Sequence, residues 1–355
     1  MKSTQSVAES KNNLMKWWHG EDIGRPLVYL VSRPSGYTFG HQSVDNRTRN
    51  LDADYIYKQA KHKFDASTLY GESLPYVHLS IGVGCIASYL GCTPTFMDYT
   101  TWTKPLIDES SDLSELGELV YDENNYWWQE HQNQLVKLAK LSKDDGFILA
   151  MPDILENLDA MSLLCGSQSL CYHLMDEPEL VKSYINQLDD LYFKYYDRIY
   201  DIIKAPDGSS GSIFNVWSNK RTLKIQCDAA ALVSPAQFEE YAMPSFERQL
   251  ENIDYSIYHL DGPEAIRSLD MVLSLKNLKA LQFTPGDGNL PPEDESWYPI
   301  YDKVRKAGKS LWVNVSNLDP IPYSRKLIER YGTAGLYLLY SDMDDESAKR
   351  LFDIF

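Results

Sequence analysis

The sequence has few cysteines, and they do not form a metal-binding or disulfide pattern. Its 355 residues include five cysteines, an odd number, and no two of them are spaced as a CxxC pair. Neither a zinc ribbon nor a framework of disulfide bonds is therefore indicated. The simplest interpretation is a set of free, mostly buried thiols in a reducing cytoplasm.

Positive charge and long apolar segments are scarce as well. The chain has 34 basic against 51 acidic residues, a formal net charge of −17 and no run rich in lysine and arginine. Such a surface repels phosphate backbones and anionic membranes. The segment Met1–Lys16 is polar, and no segment approaches the roughly 20 apolar residues of a membrane span. We therefore expect a cytoplasmic protein that binds neither nucleic acid nor a membrane.

The common nucleotide-binding and hydrolase motifs are also missing. The first apolar run continues into VSRPSGY at 31–37, where a doubly wound dinucleotide-binding fold would have a glycine-rich turn. The chain has no P-loop, no HExxH segment and no Ser–His–Asp order. The sequence therefore gives no sign that the protein requires a nucleotide. The missing glycine-rich turn also disfavours the doubly wound open sheet, which is the alternative fold.

What the chain does have is a regular alternation of short apolar runs and longer amphipathic stretches. With 43% hydrophobic residues, it can bury a large core. The alternation is typical of βα units around a mainly parallel sheet. The predicted strands are Arg25–Ser32, His78–Gly84, Phe147–Ile154, Leu223–Ala229, Tyr255–Asp261, Leu278–Pro285, Ser310–Val315 and Gly335–Ser341. Eight strands, each leading to a helix, predict an α/β fold of the (β/α)8 TIM barrel type.

The stretches between these strands predict helices, and the N-terminal third predicts insertions. The predicted helices are Glu123–Leu141, Glu177–Ile203, Pro235–Ile253, Pro263–Leu275, Trp297–Ala307 and Tyr323–Tyr331. Ser35–Thr68 and Leu90–Leu113 are long for connections, so we interpret them as insertions over the barrel mouth. Because no repeat or linker interrupts the chain, we predict one domain over residues 1–355, with residues 1–24 as an N-terminal helical extension.

The active site of such a barrel is built at the carboxyl ends of its strands, where His259 and Asp261 form the most informative pair. Both lie at the end of the fifth predicted strand, and alternate residues of a strand share one face. An imidazole and a carboxylate that converge there can act as general acid and base or bind a divalent metal ion. We take both as candidate catalytic residues and metal ligands, with a structural His–Asp hydrogen bond as the alternative.

Further polar residues at the strand ends are candidate substrate-binding residues. They are Arg33, Asp153, Asn157, Asp228, Gln282 and Ser341. Asp153, Asn157 and Asp228 are equally typical of helix caps. Gln282 leads into TPGDGN, which is also typical of a tight glycine corner. The neighbouring Cys227 is interpreted as an inert core thiol.

Four segments resemble the uroporphyrinogen decarboxylase-like superfamily. They are YHLDGPEAIRSLD at 258–270, LKALQFTPGDGN at 278–289, SPAQFEEYAMPSFERQ at 234–249 and the segment that begins PDILEN at 152–157. The resemblance extends from about Arg25 to the C-terminus and is strongest over Ile148–Gly288. This superfamily has a (β/α)8 barrel and includes methyltransferases that work with corrinoid proteins, so the resemblance implies the same fold and an enzymatic activity.

The chain departs from the superfamily at two places. Uroporphyrinogen decarboxylases have an RQAGR-like segment whose arginines bind substrate carboxylates, and here only Arg33 corresponds. The methyltransferases hold zinc with an HxC motif and a later cysteine, and here Asp261 and Ser341 stand at the cysteine positions. The resemblance therefore favours the methyltransferase branch. It implies zinc at His259 and Asp261 as the candidate cofactor, and a corrinoid carried by a partner protein.

The leading hypothesis is an enzyme that demethylates a small O- or N-methylated substrate and passes the methyl group to a corrinoid protein. A metal-free decarboxylase-like lyase is the second interpretation. It needs a cationic pocket, for which Arg33 and Arg221 are the arginines near the predicted rim. A non-catalytic barrel that binds a small ligand is the third. The sequence leaves the substrate and the oligomeric state open.

Overall fold

The structure is a computed structural model that describes residues 1–34, 44–98 and 100–355. Its strands, in chain order, are β1 (Lys2–Ser3), β2 (Leu27–Arg33), β3 (Thr68–Gly71), β4 (Tyr76–Val77), β5 (Thr93–Phe96), β6 (Thr101–Lys104), β7 (Ile148–Met151), β8 (Ser210–Ser212), β9 (Val216–Ser218), β10 (Thr222–Gln226), β11 (Tyr255–Asp261), β12 (Ala280–Thr284), β13 (Ser310–Val315), β14 (Leu336–Tyr340) and β15 (Met343–Asp344).

The helices alternate with these strands over most of the chain. They are α1 (Val7–Trp18), α2 (Asn46–Leu51), α3 (Ala53–Ala66), α4 (Cys85–Tyr89), α5 (Tyr126–Ser142), α6 (Asn157–Cys165), α7 (Ser167–Asp176), α8 (Pro178–Ile203), α9 (Pro235–Tyr241), α10 (Met243–Asn252), α11 (Leu269–Ser274), α12 (Tyr298–Lys306), α13 (Pro320–Tyr331) and α14 (Asp345–Phe352). Short 3-10 helices cover Leu113–Leu116, Ile213–Asn215, Asp228–Ala231, Pro263–Ser268 and Glu295–Trp297.

The core of the fold is a mostly parallel sheet with the strand order β1-β3-β2-β14-β13-β12-β11-β10. Every neighbouring pair from β2 to β10 is parallel, whereas β3 runs antiparallel to β2. All residues of β10 and most residues of β12 and β14 are buried, as is typical of parallel strands that are covered on both faces. The predicted α/β fold with a mainly parallel sheet is therefore confirmed.

A second sheet has the order β4-β7-β8-β9, and it contacts both β2 and β10 of the first sheet. The ring centroids of Tyr29 in β2 and Tyr76 in β4 are 6.2 Å apart. At the other edge, the hydroxyl of Thr222 in β10 donates to the carbonyl of Ser210 in β8 at 3.4 Å. Within the described residues, however, no backbone ladder joins β2 to β4 or β8 to β10. Closure of the predicted barrel is therefore not confirmed.

The prediction of the second strand over His78–Gly84 is wrong. The strand is β4, which ends at Val77, and residues 81–84 form bends and turns before α4. Gly82 and Gly84 have φ angles of 124° and 78°, in a region that glycine adopts readily and that an extended strand does not use. The sequence of residues 78–84 therefore has the apolar pattern of a strand, although the backbone of these residues turns away from the sheet.

The long connections of the N-terminal third contain regular structure. Within Ser35–Thr68, residues 35–43 lie outside the described residues, and the remainder forms α2 and α3. The hydroxyl of Tyr57 in α3 donates to Asp145 at 2.7 Å, just beyond α5. The interpretation of this segment as an insertion is therefore wrong for α3, which lies among the helices that cover the sheet. Within Leu90–Leu113, β5 and β6 form an antiparallel pair.

The predicted N-terminal extension is helical and belongs to the core. Leu14 and Trp17 of α1 are fully buried. The indole N–H of Trp18 donates to the carbonyl of Trp217 at 2.9 Å, and the carbonyl of Trp17 accepts a hydrogen bond from Ser310 at 2.5 Å. Because Ser310 begins β13, α1 packs at the amino ends of the strands. The assignment of the whole chain to one domain stays a prediction.

The cysteines agree with the expectation from composition. All five cysteines are free, and all except Cys171 are buried, so the prediction of free, mostly buried thiols is confirmed. Among the helices of the described ranges, none is long and apolar enough to cross a lipid bilayer.

Candidate active site at the carboxyl ends of the strands

Asp228, His259 and Asp261 converge at the carboxyl end of the parallel sheet. His259 and Asp261 lie on one face of β11, two residues apart, and Asp228 begins the 3-10 helix that follows β10. Each residue offers one ligand atom, and these atoms lie within 4.8 Å of one another. The side chains are partly exposed. In the part of the chain that the structure describes, this is the group with the spacing of a metal site.

The neighbouring strand fixes the orientation of His259. In the parallel register, His259 pairs with Gln282 of β12, and the Nδ1 atom of His259 lies at hydrogen-bond distance from the Oε1 atom of Gln282. The Nε2 atom of Gln282 donates to the hydroxyl of Thr284 at 2.8 Å, which leaves the amide oxygen toward the histidine. The hydrogen bond therefore assigns the proton to Nδ1, and Nε2 keeps the lone pair that a metal ion or a proton would take.

The electrostatic surroundings favour a neutral imidazole at His259. Burial lowers the pKa of His259, and the positive charge of Lys224 lowers it further. The ring of Phe214 packs against the imidazole, with centroids 5.2 Å apart. A neutral histidine with one ring nitrogen held by an amide is the form that binds divalent metal ions.

One carboxylate oxygen of Asp228 accepts a hydrogen bond within the fold, and the other does not. Its Oδ2 atom accepts a hydrogen bond from the Nε2 atom of Gln226 at 2.7 Å. Its Oδ1 atom is buried and has no hydrogen-bond partner among the described residues. Burial and the nearby Asp159 raise the pKa of Asp228 to about 8. A bound cation would satisfy the Oδ1 atom and would favour the ionised carboxylate, so this residue fits a metal ligand.

A buried polar network lies behind these residues; the sequence analysis found its Asp153 but missed Lys224 and Gln226. Lys224 is 3% exposed in its side chain, and its Nζ atom pairs with Asp153 at 2.6 Å. The amide of Gln226 donates to Asp159 at 3.2 Å, and its backbone N–H donates to Glu156 at 3.1 Å. Burial raises the pKa values of both Glu156 and Asp159. The signal was available, because Lys224 and Gln226 alternate along the buried strand β10 and Asp228 follows two residues later.

Backbone strain is concentrated in the loops beside this network. In the described part of the chain, the non-glycine residues with positive φ are Leu155, Asn157, Phe214 and Asn215. They belong to the connections that follow β7 and β8. Leu155, with a φ of 62°, is a genuine outlier for a bulky side chain. Such strain is typical of functional sites, where the surrounding structure holds a loop in one conformation.

Two cavities open beside the loop that carries Phe214. The first has a volume of about 290 Å³ and is lined by Asp153 and Ile213, among others. The second has a volume of about 470 Å³ and is lined by Asn215 and Ser341, among others. His78 lines both cavities. Ile213 lines the first cavity and Asn215 lines the second, and Phe214 between them contacts His259. Asp228, His259 and Asp261 themselves do not line either cavity.

The structure brings together some of the predicted site residues and separates others. Gln282 and Asp228 join His259 and Asp261, as described above, and Asp153 connects to them through Lys224. Asn157 is fully buried, and its amide donates to the Gln226 carbonyl at 3.3 Å, so its observed role is structural. Ser341 lies in the second cavity. Arg33 pairs at 3.6 Å with Asp342, which lines the same cavity.

A comparison with solved structures gives an informative likeness. No protein-family model matches the sequence, and no curated protein matches it. Among solved structures, a methyltransferase from Methanosarcina mazei matches with a TM-score of 0.65 and 13% sequence identity, over 97% of each chain. Membership of the uroporphyrinogen decarboxylase-like superfamily is not confirmed at this identity. The chain shares the fold of that methyltransferase over nearly its whole length.

Proposed function

We propose that the protein is a methyltransferase of the corrinoid-linked, uroporphyrinogen decarboxylase-like kind, built on a (β/α)8 barrel. It moves a methyl group from a small O- or N-methylated substrate to a corrinoid carried by a partner protein. The observation that carries this proposal is the convergence of Asp228, His259 and Asp261 within 4.8 Å. The shared fold with a methyltransferase supports it.

The donor set of this cluster fits a divalent metal ion, and zinc is the proposed one. One imidazole nitrogen and two carboxylate oxygens are accepted ligands of Zn²⁺, and three protein ligands leave a coordination position for substrate, as in catalytic zinc sites. Such an ion, when bound, would act as a Lewis acid on the substrate heteroatom. The unpartnered Oδ1 atom of Asp228 supports the fit.

The residues around the cluster would bind and orient the substrate. In the proposed reaction, the bond between the methyl carbon and the substrate oxygen or nitrogen breaks, and its electron pair stays on the heteroatom, which then takes up a proton. The methyl group would be transferred as a formal cation, and a Co(I) corrinoid on the partner would supply the electron pair that accepts it. Phe214 covers one side of His259, which limits water beside the heteroatom. Lys224 holds Asp153 at the edge of the neighbouring cavity.

The decarboxylase-like interpretation gains little from the positions of the arginines. Arg221 precedes β10 and therefore lies at the opposite end of the strand from Asp228. It pairs with Asp197 and stacks over Tyr196 with a distance of 4.8 Å to the ring centroid. The buried cation near the site is Lys224, and Asp153 neutralises it. A carboxylate-rich substrate would therefore meet mainly acidic side chains.

The direct test is methyl transfer to a reduced corrinoid. Purified protein, loaded with zinc, is mixed with a Co(I) corrinoid protein and with a panel of methoxyaromatic compounds and methylamines, and methylcobalamin is followed by its absorbance. We expect formation with at least one substrate and its loss in His259→Ala. The matched control is His19→Ala, since exposed His19 contacts Tyr255 at the amino end of the same strand. Absence of methylcobalamin with every substrate would contradict the proposal.

A further inference from the structure

A separate cavity of about 470 Å³ lies at the opposite end of the strands from the proposed active site. It is lined by the first residues of β7 and β8, by the C-terminal turns of α5 and α8, and by α1. The sequence PDGSSGS at 206–212 forms part of its wall. None of the residues placed in the metal-type cluster contributes to this lining, so the proposed function does not account for it.

The charge of this cavity is opposite to that of the whole chain. Lys11, Lys143 and Lys204 line it, with Asp144 as the acidic residue, in a protein of net charge −17. Lys143 and Lys204 directly follow α5 and α8, where lysines also stabilise the helix carbonyls. Lys204 pairs in addition with Asp201 at 2.6 Å. Lys11 belongs to a different helix, so helix capping does not explain why a third cation points to the same place.

A buried hydroxyl supplies an independent sign of a ligand. Ser142 lines the cavity and is 4% exposed, and its Oγ atom has no hydrogen-bond partner in the described part of the chain. Buried polar groups are nearly always paired, and leaving one unpaired costs stability. If the side chain of Ser142 turns toward the cavity, its hydroxyl can donate a hydrogen bond to an oxygen of a bound anion.

The remaining wall is apolar and partly aromatic. Trp217 is 5% exposed, and the Nζ atom of Lys11 lies 4.7 Å from its ring centroid. Phe147 and Ile203 extend the apolar surface. The hydroxyl of Ser209, which also lines the cavity, lacks a partner among the described residues as well. A pocket with convergent cations, unsatisfied hydroxyls and an indole is typical of sites for small molecules that have a charged end and a flat, apolar body.

We propose that this cavity binds a small organic anion, in the class of aromatic phosphate monoesters and carboxylates. The anionic group would lie between Lys11, Lys143 and the hydroxyl of Ser142. The planar part of the ligand would pack on Trp217. This site is separate from the metal-type cluster, so binding here does not depend on the proposed methyl transfer.

The test is a binding titration of the full-length protein with four probes. Phenyl phosphate has the charge and the ring, benzoate has a carboxylate instead of the phosphate, inorganic phosphate has only the charge, and phenol has only the ring. Calorimetry gives the affinity, and comparison of the tryptophan fluorescence with that of Trp217→Phe isolates the signal of Trp217 among the eight tryptophans. We expect saturable binding of phenyl phosphate or benzoate that weakens as salt is added, with weaker binding of inorganic phosphate and phenol. The stronger of the first two identifies the anionic group.

Matched variants locate the site. Lys143→Met and Ser142→Ala should each weaken binding by about ten-fold, as expected for loss of one charge-assisted hydrogen bond. Lys306→Met, which removes an exposed lysine of α12, should leave the affinity unchanged, and so should His259→Ala. Lack of saturable binding by phenyl phosphate and benzoate would overturn the proposal. Equal losses in Lys143→Met and Lys306→Met, or equal affinity for phenol and phenyl phosphate, would overturn it as well.

Discussion

At the scale of single residues, the site depends on a row of polar side chains that parallel pairing places side by side. Gln226 of β10 pairs in register with His259 of β11, which pairs with Gln282 of β12. Residues paired in this way point to the same face of a sheet. Gln226 holds Asp228, and Gln282 holds His259. The metal-type cluster is thus oriented by two amides that have no charge of their own.

This arrangement makes Gln282 a positioning residue with a measurable effect. Gln282→Met removes the acceptor for Nδ1 of His259, so the imidazole loses its fixed orientation and tautomer. We expect zinc affinity to fall about 10-fold to 100-fold, which is the usual effect of losing such a partner of a metal-bound histidine. Gln282→Glu keeps an acceptor and should retain zinc binding. Equal affinities of Gln282→Met and the wild-type protein, measured by competition with a chelating dye, would argue against this role.

At the scale of elements, local sequence signals predicted several strands well. Tyr255–Asp261 and Ser310–Val315 were predicted with the bounds that the structure has. The helix predicted over Pro235–Ile253 is instead two helices, α9 and α10, that meet at Ala242. Pro244 lies in the first turn of α10 and cannot donate its backbone nitrogen to a continuous helix. The second strand failed because Gly82 and Gly84 turn the chain.

The candidate site was only partly predictable for a related reason. The sequence analysis found the residues that lie near the carboxyl ends of predicted strands, namely His259, Asp261, Asp228 and Gln282. Lys224 was not found, because a strand predicted over Leu223–Ala229 places it near the amino end. The observed β10 ends at Gln226, which brings Lys224 close to the carboxyl edge. Contacts between distant loops, such as Phe214 with His259, have no local signal.

The packing of α8 against α10 gives a prediction about pH. Asp189 of α8 is 4% exposed in its side chain, and it accepts a hydrogen bond from Ser245 at 3.0 Å. Burial raises its pKa from 3.8 to about 6. The folded protein therefore holds this proton over a range in which the unfolded chain releases it. Stability should fall as pH rises from about 4 to about 6, by up to about 3 kcal/mol from this residue.

The measurement is chemical unfolding of the wild-type protein and Asp189→Asn at several pH values. The advantage of Asp189→Asn over the wild-type protein should grow between pH 4 and pH 6 and then level off, because the amide has no proton to lose. Arg248 lies 3.5 Å from Asp189 and also pairs with Asp190, which is 69% exposed, so Asp190→Asn is the matched control. A difference between wild type and Asp189→Asn that does not vary with pH would contradict the assignment.

At the scale of the whole molecule, one buried carboxylate joins the N-terminal segment to the sheet. Glu72 follows β3 and is fully buried. It accepts hydrogen bonds from both terminal nitrogens of Arg25, from the side-chain amides of Gln5 and Asn13, and from the backbone N–H of Val28. Two of the five donors, the amides of Gln5 and Asn13, belong to residues 1–24, so this carboxylate links the N-terminal segment to β2.

Loss of this carboxylate should therefore destabilise the entire fold. Glu72→Gln keeps the size of the side chain but leaves Arg25 without its counter-charge and removes one acceptor. We expect the free energy of unfolding to fall by about 3 to 5 kcal/mol, the range for breaking a buried ion pair. Glu9→Gln, in the exposed first turn of α1, should change it by less than about 0.5 kcal/mol. Similar losses in the two variants would show that Glu72 does not have this role.

The central claim is that Asp228, His259 and Asp261 together bind one divalent metal ion. Calorimetric titration of the metal-free protein with zinc tests it most directly, with Asp228→Asn, Asp261→Asn and His19→Ala measured in parallel. The account predicts one zinc per chain in the wild-type protein and in His19→Ala, with affinity at least about ten-fold lower in the two aspartate variants. Failure of the wild-type protein to bind zinc, or unchanged affinity in both aspartate variants, would contradict it.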